Sequence, residues 1–310
     1  MKFSVIIVND GFGGDMSRAL NAVAAQTQRD FEVIVVGADC AMPDDRFKNI
    51  AGDSTNAIAA KNTAASMAVG EWLFFITPRT FMADDCLQSL YASTLRHPDC
   101  TLFAVTQIED AATGIIEAAG KCYFFAGIPF CGGKGWSLDV LPDEGEVFGA
   151  CTPAMFVRKD CFIEINGFDA DFVMACEDAD LSSRLRLMRH RAILASEAIV
   201  FVAEGNPPKD IHRFAARNII YTYIKNMPTA LLWVTLPFHI LMLLLLLCNP
   251  KHFMARIYGY VDALKSIPAT LKKRRNIQAT RKASLSNIAN ALTWNPNIPF
   301  WRKTDIQKIK

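Results

Sequence analysis

Short, continuous apolar runs alternate with a helix-like segment at the start of the chain. Residues 3–8 (FSVIIV) and 32–36 (EVIVV) are rich in β-branched side chains, which is typical of strands buried on both faces of a parallel sheet. Between these runs, Met16, Leu20 and Val23 recur at the spacing of one helix face. The order of strand, helix and strand predicts a βαβ unit and an α/β fold.

Two further apolar runs, at 72–76 (WLFFI) and 102–106 (LFAVT), extend this pattern. Residues 1–110 are therefore predicted to form a Rossmann-like, nucleotide-binding half. Residues 107–147 hold many glycines and aromatics without a clear period, and we expect a surface excursion there that could act as a lid. The second half of the domain, 111–205, is then completed by a strand at 151–157, a helix that begins near Asp178 and a last strand at 198–202.

The segment 229–248 is apolar for 20 residues and contains no Asp, Glu, Lys or Arg, which matches the length of a bilayer span. Basic residues flank both of its ends, and the positive-inside rule would keep both flanks on the cytoplasmic side. One straight span cannot satisfy that rule, whereas a segment broken at Pro237 that re-enters or lies in the membrane plane can. The flanking basic residues are Lys209, Arg213, Arg217 and Lys225 before the segment, and Lys251, Arg256, Lys265 and 272–275 (KKRR) after it.

The next stretch resembles an interfacial helix. Apolar side chains recur on one helical face, with lysines and arginines elsewhere, as in helices that lie on anionic lipid. Residues 206–310 are therefore predicted to form a basic, membrane-associating helical region. A buried core helix followed by a solvated basic tail is the alternative. The apolar positions are Phe253, Ile257, Val261 and Leu264.

Composition narrows the choice of partners and compartment. The 310-residue chain has a formal net charge of only +2, which gives no case for nucleic-acid binding. Its nine cysteines form no CxxC pair, which favours reduced thiols in the cytosol over disulfides or a zinc site. The first residues are expected to form a strand, because they lack the long apolar core of a signal peptide.

The glycines of NDGFGGD (9–15) follow the first predicted strand. A dinucleotide fingerprint would need G-x-G-x-x-G, and Met16 stands where the third glycine belongs. We therefore expect a turn that could contact a nucleotide, and we reject an NAD-dependent enzyme.

The strongest polar signal is an acidic group at the start of a predicted helix. Glu177, Asp178 and Asp180 precede Arg184 and Arg186. One explanation is structural, since acids stabilise a helix N-terminus and the arginines can pair with them. The other is catalytic, since a carboxylate at the mouth of a sheet can remove a proton from an acceptor hydroxyl.

Taken in order, several segments resemble a family 2 glycosyltransferase with a GT-A fold, in particular the bacterial rhamnosyltransferase-like branch. The similarity runs over roughly residues 3–290. The segments that carry it are SVIIVND, AQTQRDFEVIVVGAD, NTAASMAVGEWLFFITPRT, FGACTPAMFVRKDCFIEINGFDADFVMACEDADLSSRLR and RNIIYTYIKNMP.

The resemblance implies an inverting transfer of a sugar from a nucleotide-diphosphate sugar to a cell-envelope glycan or a lipid-linked acceptor. It also implies a location on the cytoplasmic face of the inner (plasma) membrane. Asp178 takes the place of the catalytic base, with Glu177, Asp180 and Arg184 in the same catalytic block. The positions that fall near the nucleotide contacts are Val8, Asp10, Asp39 and Asn62.

One motif departs from the family pattern. The family usually places a D-x-D motif after its third strand, predicted here at 72–76, to hold Mg²⁺ or Mn²⁺. Thr77 and Arg79 occupy those positions in this chain. A histidine that commonly follows the late strand is replaced by 202–204 (VAE), with His212 further along. Hard cations need oxygen ligands, so we predict no tightly bound divalent metal and no other tightly bound cofactor.

Three explanations for Arg79 remain open. Its guanidinium could bind the diphosphate in place of a metal ion. The enzyme could instead be inactive and serve as a binding or scaffold subunit at the membrane. Finally, Arg79 could be an ordinary surface residue that pairs with Asp84 or Asp85.

Overall fold

A computed structural model of the chain describes residues 1–51, 56–109 and 112–306. These residues form an α/β domain that continues into a series of helices. In this part of the chain the strands are β1 (Phe3–Val8), β2 (Phe31–Val36), β3 (Phe47–Ile50), β4 (Trp72–Ile76), β5 (Thr80–Met82), β6 (Leu102–Ile108), β7 (Ile116–Ala119), β8 (Lys121–Phe124), β9 (Ile128–Cys131), β10 (Gly145–Val147), β11 (Met155–Arg158) and β12 (Ala192–Val202).

The α-helices follow the strands in the first two thirds of the chain and succeed one another directly in the last third. Their bounds are α1 (Met16–Ala24), α2 (Ala57–Met67), α3 (Cys86–Arg96), α4 (Lys159–Glu164), α5 (Glu177–Leu187), α6 (Ile211–Asn226), α7 (Thr229–Leu247), α8 (Phe253–Lys265), α9 (Ile267–Ala279), α10 (Leu285–Ala291) and α11 (Asn297–Trp301).

The central sheet is mostly parallel and has the strand order β10-β12-β6-β11-β4-β1-β2-β3. Strand β1 pairs in parallel with β2 and β4, and β12 pairs in parallel with β6. Strand β11 runs antiparallel between β4 and β6. The predicted βαβ arrangement and α/β class are thus confirmed.

Both faces of the sheet are covered, which explains why its central strands are mostly apolar on both faces. On one face, Phe3, Val5 and Ile7 of β1 pack in a cluster with α1 and α3. On the other face, Ile6 and Val8 of the same strand pack in a cluster with α2 and α5. Successive side chains of a strand point to opposite faces, so a strand between two helical layers is expected to be apolar on both faces.

A buried polar network joins β1, β2 and the approach to β4. Ser4 Oγ donates to Glu32 Oε1 at 2.7 Å, and the backbone N–H of Val69 donates to the same oxygen at 2.6 Å. Gly70 N donates to Ser4 Oγ at 2.8 Å. Burial opposes ionisation of Glu32, but these hydrogen bonds and the ammonium of Lys48 outweigh it and lower the pKa of the carboxyl.

The expected surface excursion at 107–147 is wrong. The segment contains β7, β8, β9 and β10, and most of its side chains from Ile116 to Phe124 are buried. Tyr123, for example, stacks on Phe148 with ring centroids 5.0 Å apart. The strands are only three or four residues long, which is too short for a hydrophobic period to show in the sequence.

The β8–β9 hairpin connects two parts of the molecule. At its open end, Lys121 lies opposite Cys131. At its turn, Gly127 fits against Tyr223 of α6 and His239 of α7, where an added Cβ would lie 2.5 Å from the tyrosine ring. A glycine is required there for a second reason, since its φ is +80°.

The apolar segment of the tail forms the 19-residue helix α7, which continues through Pro237. The predicted break at this proline is therefore wrong. A proline leaves the carbonyl four residues earlier without a partner, and here that residue is Trp233, which is exposed. Within the described ranges, α7 is the one helix long and apolar enough to cross a membrane, with a mean hydropathy of 2.4 and 11% of its apolar window buried.

The polar network at the start of β4 gives the first prediction. Gly70→Ala would place a Cβ 2.6 Å from the backbone of Phe3 and Ser4, so β1 or β4 must shift. We expect a loss of about 1–3 kcal/mol in the free energy of unfolding, measured by urea denaturation. Val69→Ala, at the exposed neighbour, is the control and should change stability by less than about 0.5 kcal/mol. Equal effects of the two substitutions would contradict the tight packing at Gly70.

Candidate active site

A cleft of about 290 Å³ opens where the carboxyl ends of β1 and β4 meet the N-terminus of α5. Ligands bind at this edge of open α/β sheets. Three acids and three bases line the cleft, and they come from five separate segments of the chain. These charged residues are Asp10, Lys61, Arg79, Lys121, Glu177 and Asp178.

A strained turn directs the acids of α5 toward this cleft. Ala175 and Cys176, which directly precede Glu177, have φ values of +64° and +63°. Side chains other than glycine rarely adopt this conformation, and it is maintained where the surroundings determine it. Here the Asn218 side chain on α6 donates to the carbonyls of Met174 and Ala175 at 2.7 and 2.8 Å.

Asp178 is almost completely buried at the cleft wall and is held by several donors. Its Oδ2 lies 2.7 Å from Lys121 Nζ and accepts hydrogen bonds from the Thr152 N–H and hydroxyl. Its Oδ1 accepts from the Ala179 N–H at 2.7 Å. Within the described chain this is the one hydrogen bond to Oδ1, which leaves an acceptor position for a substrate hydroxyl.

Lys121 carries a buried positive charge beside this carboxylate. Burial opposes its protonation, but the negative charge of Asp178 outweighs burial and raises the pKa of the ammonium well above its usual value. The Lys121 Nζ also lies 3.7 Å from Cys131 Sγ, across the open end of the β8–β9 hairpin. The ammonium therefore ties the hairpin to α5.

Glu177 is in a less favourable environment than its neighbour. Its Oε1 lies 3.8 Å from Lys61 Nζ, and its buried Oε2 has no hydrogen-bond partner among the described residues. Burial, together with the negative charge of Asp178, raises the pKa of the Glu177 carboxyl. The Glu177 carboxyl thus ionises less readily than an ordinary glutamate.

Arg79 is fixed in the turn between β4 and β5 by contacts from two loops, one after β1 and one after β12. Gly14 allows the loop after β1 to lie directly on this turn, since a Cβ there would meet the Pro78 and Arg79 backbone at 2.6 Å. The guanidinium lies 5.5 Å from the Phe12 ring, and its Nη1 donates to the Ala203 carbonyl at 3.3 Å. Its buried Nε has no hydrogen-bond partner in the described chain.

These contacts differ from those of an ordinary surface arginine. Within the described ranges Arg79 forms no ion pair with Asp84 or Asp85. A guanidinium with an unpartnered N–H at a cleft is suited to binding an anion.

The residues at the end of β4 do not fit a divalent cation. The Thr77 hydroxyl is buried and lies 3.3 Å from that of Thr80, and the next polar side chain is the cation of Arg79. His212, the candidate histidine for a metal site, stacks on His252 instead. Elsewhere in the described chain, a group of potential ligands occurs at Cys161, Glu164 and His190, outside the cleft lining.

Asp180 and Arg184 do not line the cleft, although the sequence grouped them with Asp178. The Asp180 carboxylate is fully buried and accepts from Arg184 Nε at 2.8 Å and from Asn226 Nδ2 at 2.8 Å, and Lys225 Nζ lies 2.6 Å away. These contacts join α5 to α6. The geometry assigns this pair to packing rather than to contact with a substrate.

The predicted nucleotide contacts are placed unevenly. Asp10 and Arg79 line the cleft, whereas Val8 is buried in β1 and Thr77 is buried behind the turn. Asp39 is exposed on the loop after β2 and lies outside the cleft lining.

Asn62 also has a structural partner. Its side chain donates to the Phe168 carbonyl at 2.8 Å and accepts from the Phe168 N–H at 2.9 Å. These two bonds connect α2 to the segment before α5, so they help to position the acids.

Three cleft residues were not predicted from the sequence, namely Lys61, Lys121 and Thr152. Lys61 is the one charged residue in α2. A single lysine within an alanine-rich helix was a sequence signal that could have marked it as a candidate site residue. Lys121 and Thr152 carry no motif, and their roles depend on pairing with Asp178, which is distant in sequence.

Comparison with solved structures shows the type of fold. The chain matches S. aureus TarS 1–349 in complex with UDP-GlcNAc at a TM-score of 0.57 and 14% identity, over 100% of this chain and 97% of that one. It matches a longer TarS structure at 0.56 and 15% identity, over 94% of this chain, but it spans only 55% of that protein. GalNAc-T7 with UDP, GalNAc and Mn²⁺ matches at 0.53 and 13% identity, over 73% of this chain and 50% of that one.

No protein-family model matches the sequence, and no curated protein matches it either. The structural neighbours are GT-A-type proteins, so the predicted GT-A fold is confirmed. At these identities the likeness extends to the fold and not to the reaction.

The buried ion pairs of Asp180 give the second prediction. Burial opposes ionisation of this carboxyl, but Arg184 and Lys225 outweigh it and lower its pKa. A lowered pKa contributes stability that is present above the unfolded value near 4 and is lost as the pH falls through the folded value. Asp180→Asn should therefore cost about 3–5 kcal/mol at pH 7 and weaken the acid dependence of unfolding.

Urea denaturation between pH 7 and pH 3 measures both effects. Asp160→Asn breaks a largely exposed pair with Arg158 and serves as the control, with an expected cost below about 1 kcal/mol. If Asp180→Asn were as stable as this control, Asp180 would not be the structural link between α5 and α6.

Proposed function

We propose that the protein is an inverting glycosyltransferase that uses a nucleotide-diphosphate sugar as its donor. The observation that carries this proposal is the convergence of Asp178 and Arg79 on one cleft at the carboxyl edge of a GT-A sheet. A base and a phosphate-binding cation are the two groups that such a displacement needs from the protein.

In the proposed reaction, the acceptor hydroxyl attacks the anomeric carbon of the donor sugar. A bond forms between the acceptor oxygen and this carbon, while the bond from the carbon to the diphosphate oxygen breaks. Asp178 accepts the hydroxyl proton, and the nucleoside diphosphate leaves with the electron pair. The free acceptor position on Asp178 Oδ1 suits it to this role.

We propose that protein cations take the role of a metal ion. Arg79 binds the leaving diphosphate, and Lys61 and Lys121 add positive charge to the cleft. Of the three acids, Glu177 has a raised pKa because of burial and the charge of Asp178. Protonation of Glu177 would leave the cleft with a net positive charge, which favours an anionic donor.

The other parts of this proposal rest on the sequence resemblance and the tail. The transferred sugar is a hexose or deoxyhexose, as in the rhamnosyltransferase-like branch of family 2. The acceptor is a cell-envelope glycan or glycolipid, and the site is the cytoplasmic face of the plasma membrane. The mostly exposed apolar helix α7 supports a membrane location.

A second candidate is an inactive relative that binds a partner or a nucleotide without turnover. The observation in its favour is the lack of carboxylate ligands at Thr77 and Arg79, where relatives of this fold commonly hold a metal. Binding and turnover experiments separate the two candidates.

Donor binding gives the third prediction. We expect UDP, GDP or dTDP to bind the purified protein in EDTA, with little change on adding Mn²⁺, as measured by calorimetry. Arg79→Ala should weaken binding by about 10–100-fold, because it removes charge-assisted hydrogen bonds to phosphate. Arg158→Ala, an arginine outside the cleft, is the control and should bind normally.

The outcomes are distinct. A nucleotide that binds only with Mn²⁺ would disprove the cation substitution. Absence of binding by every nucleotide, with or without metal, would favour the inactive relative.

Turnover gives the fourth prediction. Asp178→Asn should keep the nucleotide affinity but lower kcat by about 10²–10⁴-fold, since the amide cannot take up the proton. The measurement is release of nucleoside diphosphate from the matching nucleotide sugar in the presence of a membrane extract as acceptor. Asp160→Asn, at an exposed position outside the cleft, should have normal turnover. Undiminished turnover in Asp178→Asn would exclude Asp178 as the base.

A further inference from the structure

The helices after the α/β domain present a large apolar surface. We define the α7–α8 face as the exposed apolar side chains of these two helices, which include Trp233 at 66% exposure and Leu244 at 57%. On α8, Met254 and Leu264 are exposed in the same way. Exposed apolar side chains in this number on neighbouring helices are typical of sites for a partner or a membrane.

The inner side of α7 is attached to the globular domain near its middle. Thr235 and His239 are the buried residues of this helix. The Tyr223 hydroxyl on α6 lies 2.9 Å from Thr235 Oγ1, and the tyrosine ring stacks on His239 at 3.8 Å. His239 Nδ1 also lies 2.8 Å from the Ala126 carbonyl in the β8–β9 turn.

The far end of α7 is attached as well. The Tyr260 hydroxyl of α8 donates to the Leu243 carbonyl at 2.9 Å, and Arg256 donates to the Leu246 carbonyl. The chain therefore returns along α7 instead of continuing away from it.

Helix α8 in turn packs tightly on α6. An added Cβ at Gly259 would lie 2.3 Å from the Arg213 carbonyl, and Arg213 Nε lies 2.6 Å from Asp262. His252, just before α8, stacks on His212, just inside the N-terminus of α6. Helix α7 thus begins at the end of α6 and finishes beside its start.

These attachments are incompatible with a transmembrane course for α7. A 19-residue helix is about 28 Å long, close to the thickness of a bilayer core. If it crossed, Arg256, Gly259 and Tyr260 would lie on the opposite side of the membrane from α6. All the contacts between α6 and α8 would then be lost.

We propose that the α7–α8 face docks on an anionic lipid bilayer from one side, with α7 lying in the plane of the interface. Charge supports lipid as the occupant. Helix α7 has no charged residue, and the one acid of α8, Asp262, is paired with Arg213. Basic side chains at Lys251, Lys265, Lys272 and Arg275 accompany the apolar surface, as in interfacial helices on anionic membranes.

Vesicle binding tests the occupant. The full chain should co-sediment with phosphatidylcholine vesicles that contain about 30% of the anionic lipid phosphatidylglycerol. Its binding to vesicles of phosphatidylcholine alone should be at least about tenfold weaker. The double variant Trp233→Glu/Leu244→Glu should lose binding at least about tenfold. The matched control Leu95→Glu/Ile163→Glu changes two exposed apolar residues outside this face and should bind normally.

Two results would overturn this inference. One is equal vesicle binding by the two double variants. The other is absence of vesicle binding together with dimers in detergent-free solution that Trp233→Glu/Leu244→Glu dissolves, which would make a second copy the occupant.

A labelling experiment tests the orientation. Asn249→Cys, made together with Cys248→Ser because Cys248 is already an exposed thiol, places a single thiol on the connection after α7, and Asp139→Cys places one on the globular domain. In inverted membrane vesicles from an expression host, a membrane-impermeant maleimide should label both positions from the same side, as read by peptide mass spectrometry. Labelling of position 249 only after detergent would show that α7 crosses the bilayer. This inference rests on the membrane location proposed above. Because neither experiment involves a donor nucleotide, its failure is distinguishable from failure of the proposed sugar transfer.

Discussion

The buried pairing of Asp180 with Arg184 and Lys225 is the constraint on which the candidate site depends. An isolated carboxylate in this position would be strongly destabilising, so α5 and α6 must remain in contact as long as it is charged. Because Asp178 lies two residues earlier on the same helix, the contact that buries Asp180 also directs Asp178 to the opposite side, toward the cleft. One helix therefore carries a structural acid and a candidate catalytic acid, and the fold distinguishes them by what faces each one.

The same logic applies to the strained turn before α5. Ala175 and Cys176 in left-handed conformations cost on the order of 1–3 kcal/mol each, and Asn218 of α6 stabilises the turn through two carbonyls. Helix α6 thus stabilises the turn at the wall of the cleft, although it was predicted from the sequence to belong to a separate tail region. The proposed chemistry and the proposed membrane surface share this helix as their common support.

Much of the fold was predictable because it depends on patterns local to each element. Strand β4 is apolar at every position and β1 at all but Ser4, and that signal needs no knowledge of distant residues. Asp10, Arg79, Glu177 and Asp178 were predicted as one site and do line one cleft, although their chemical roles stay predictions. The packed strands between β6 and β11 were missed because three or four residues cannot display a period.

Pairings between distant residues were the least predictable feature. Nothing local to Lys121 indicates that its ammonium meets Asp178, since 57 positions separate them and the contact exists only after the hairpin folds. Asp180 was grouped with Asp178 as a site residue for the same reason. Its burial depends on Lys225 of another helix, which the local sequence does not reveal. Sequence patterns identify which elements form, whereas the ionisation and role of a side chain depend on what other elements place beside it.

The β8–β9 hairpin sets the distance between helix α7 and Asp178. Its turn rests on His239 of α7, and its open end delivers Lys121 to Asp178. Each strand of the hairpin has four residues and so spans roughly 13 Å. With α7 at the lipid interface, the hairpin would fix the distance between the membrane surface and the proposed base, Asp178. An acceptor hydroxyl close to the lipid tails would fall short of Asp178, while one carried on a headgroup of matching length would reach it.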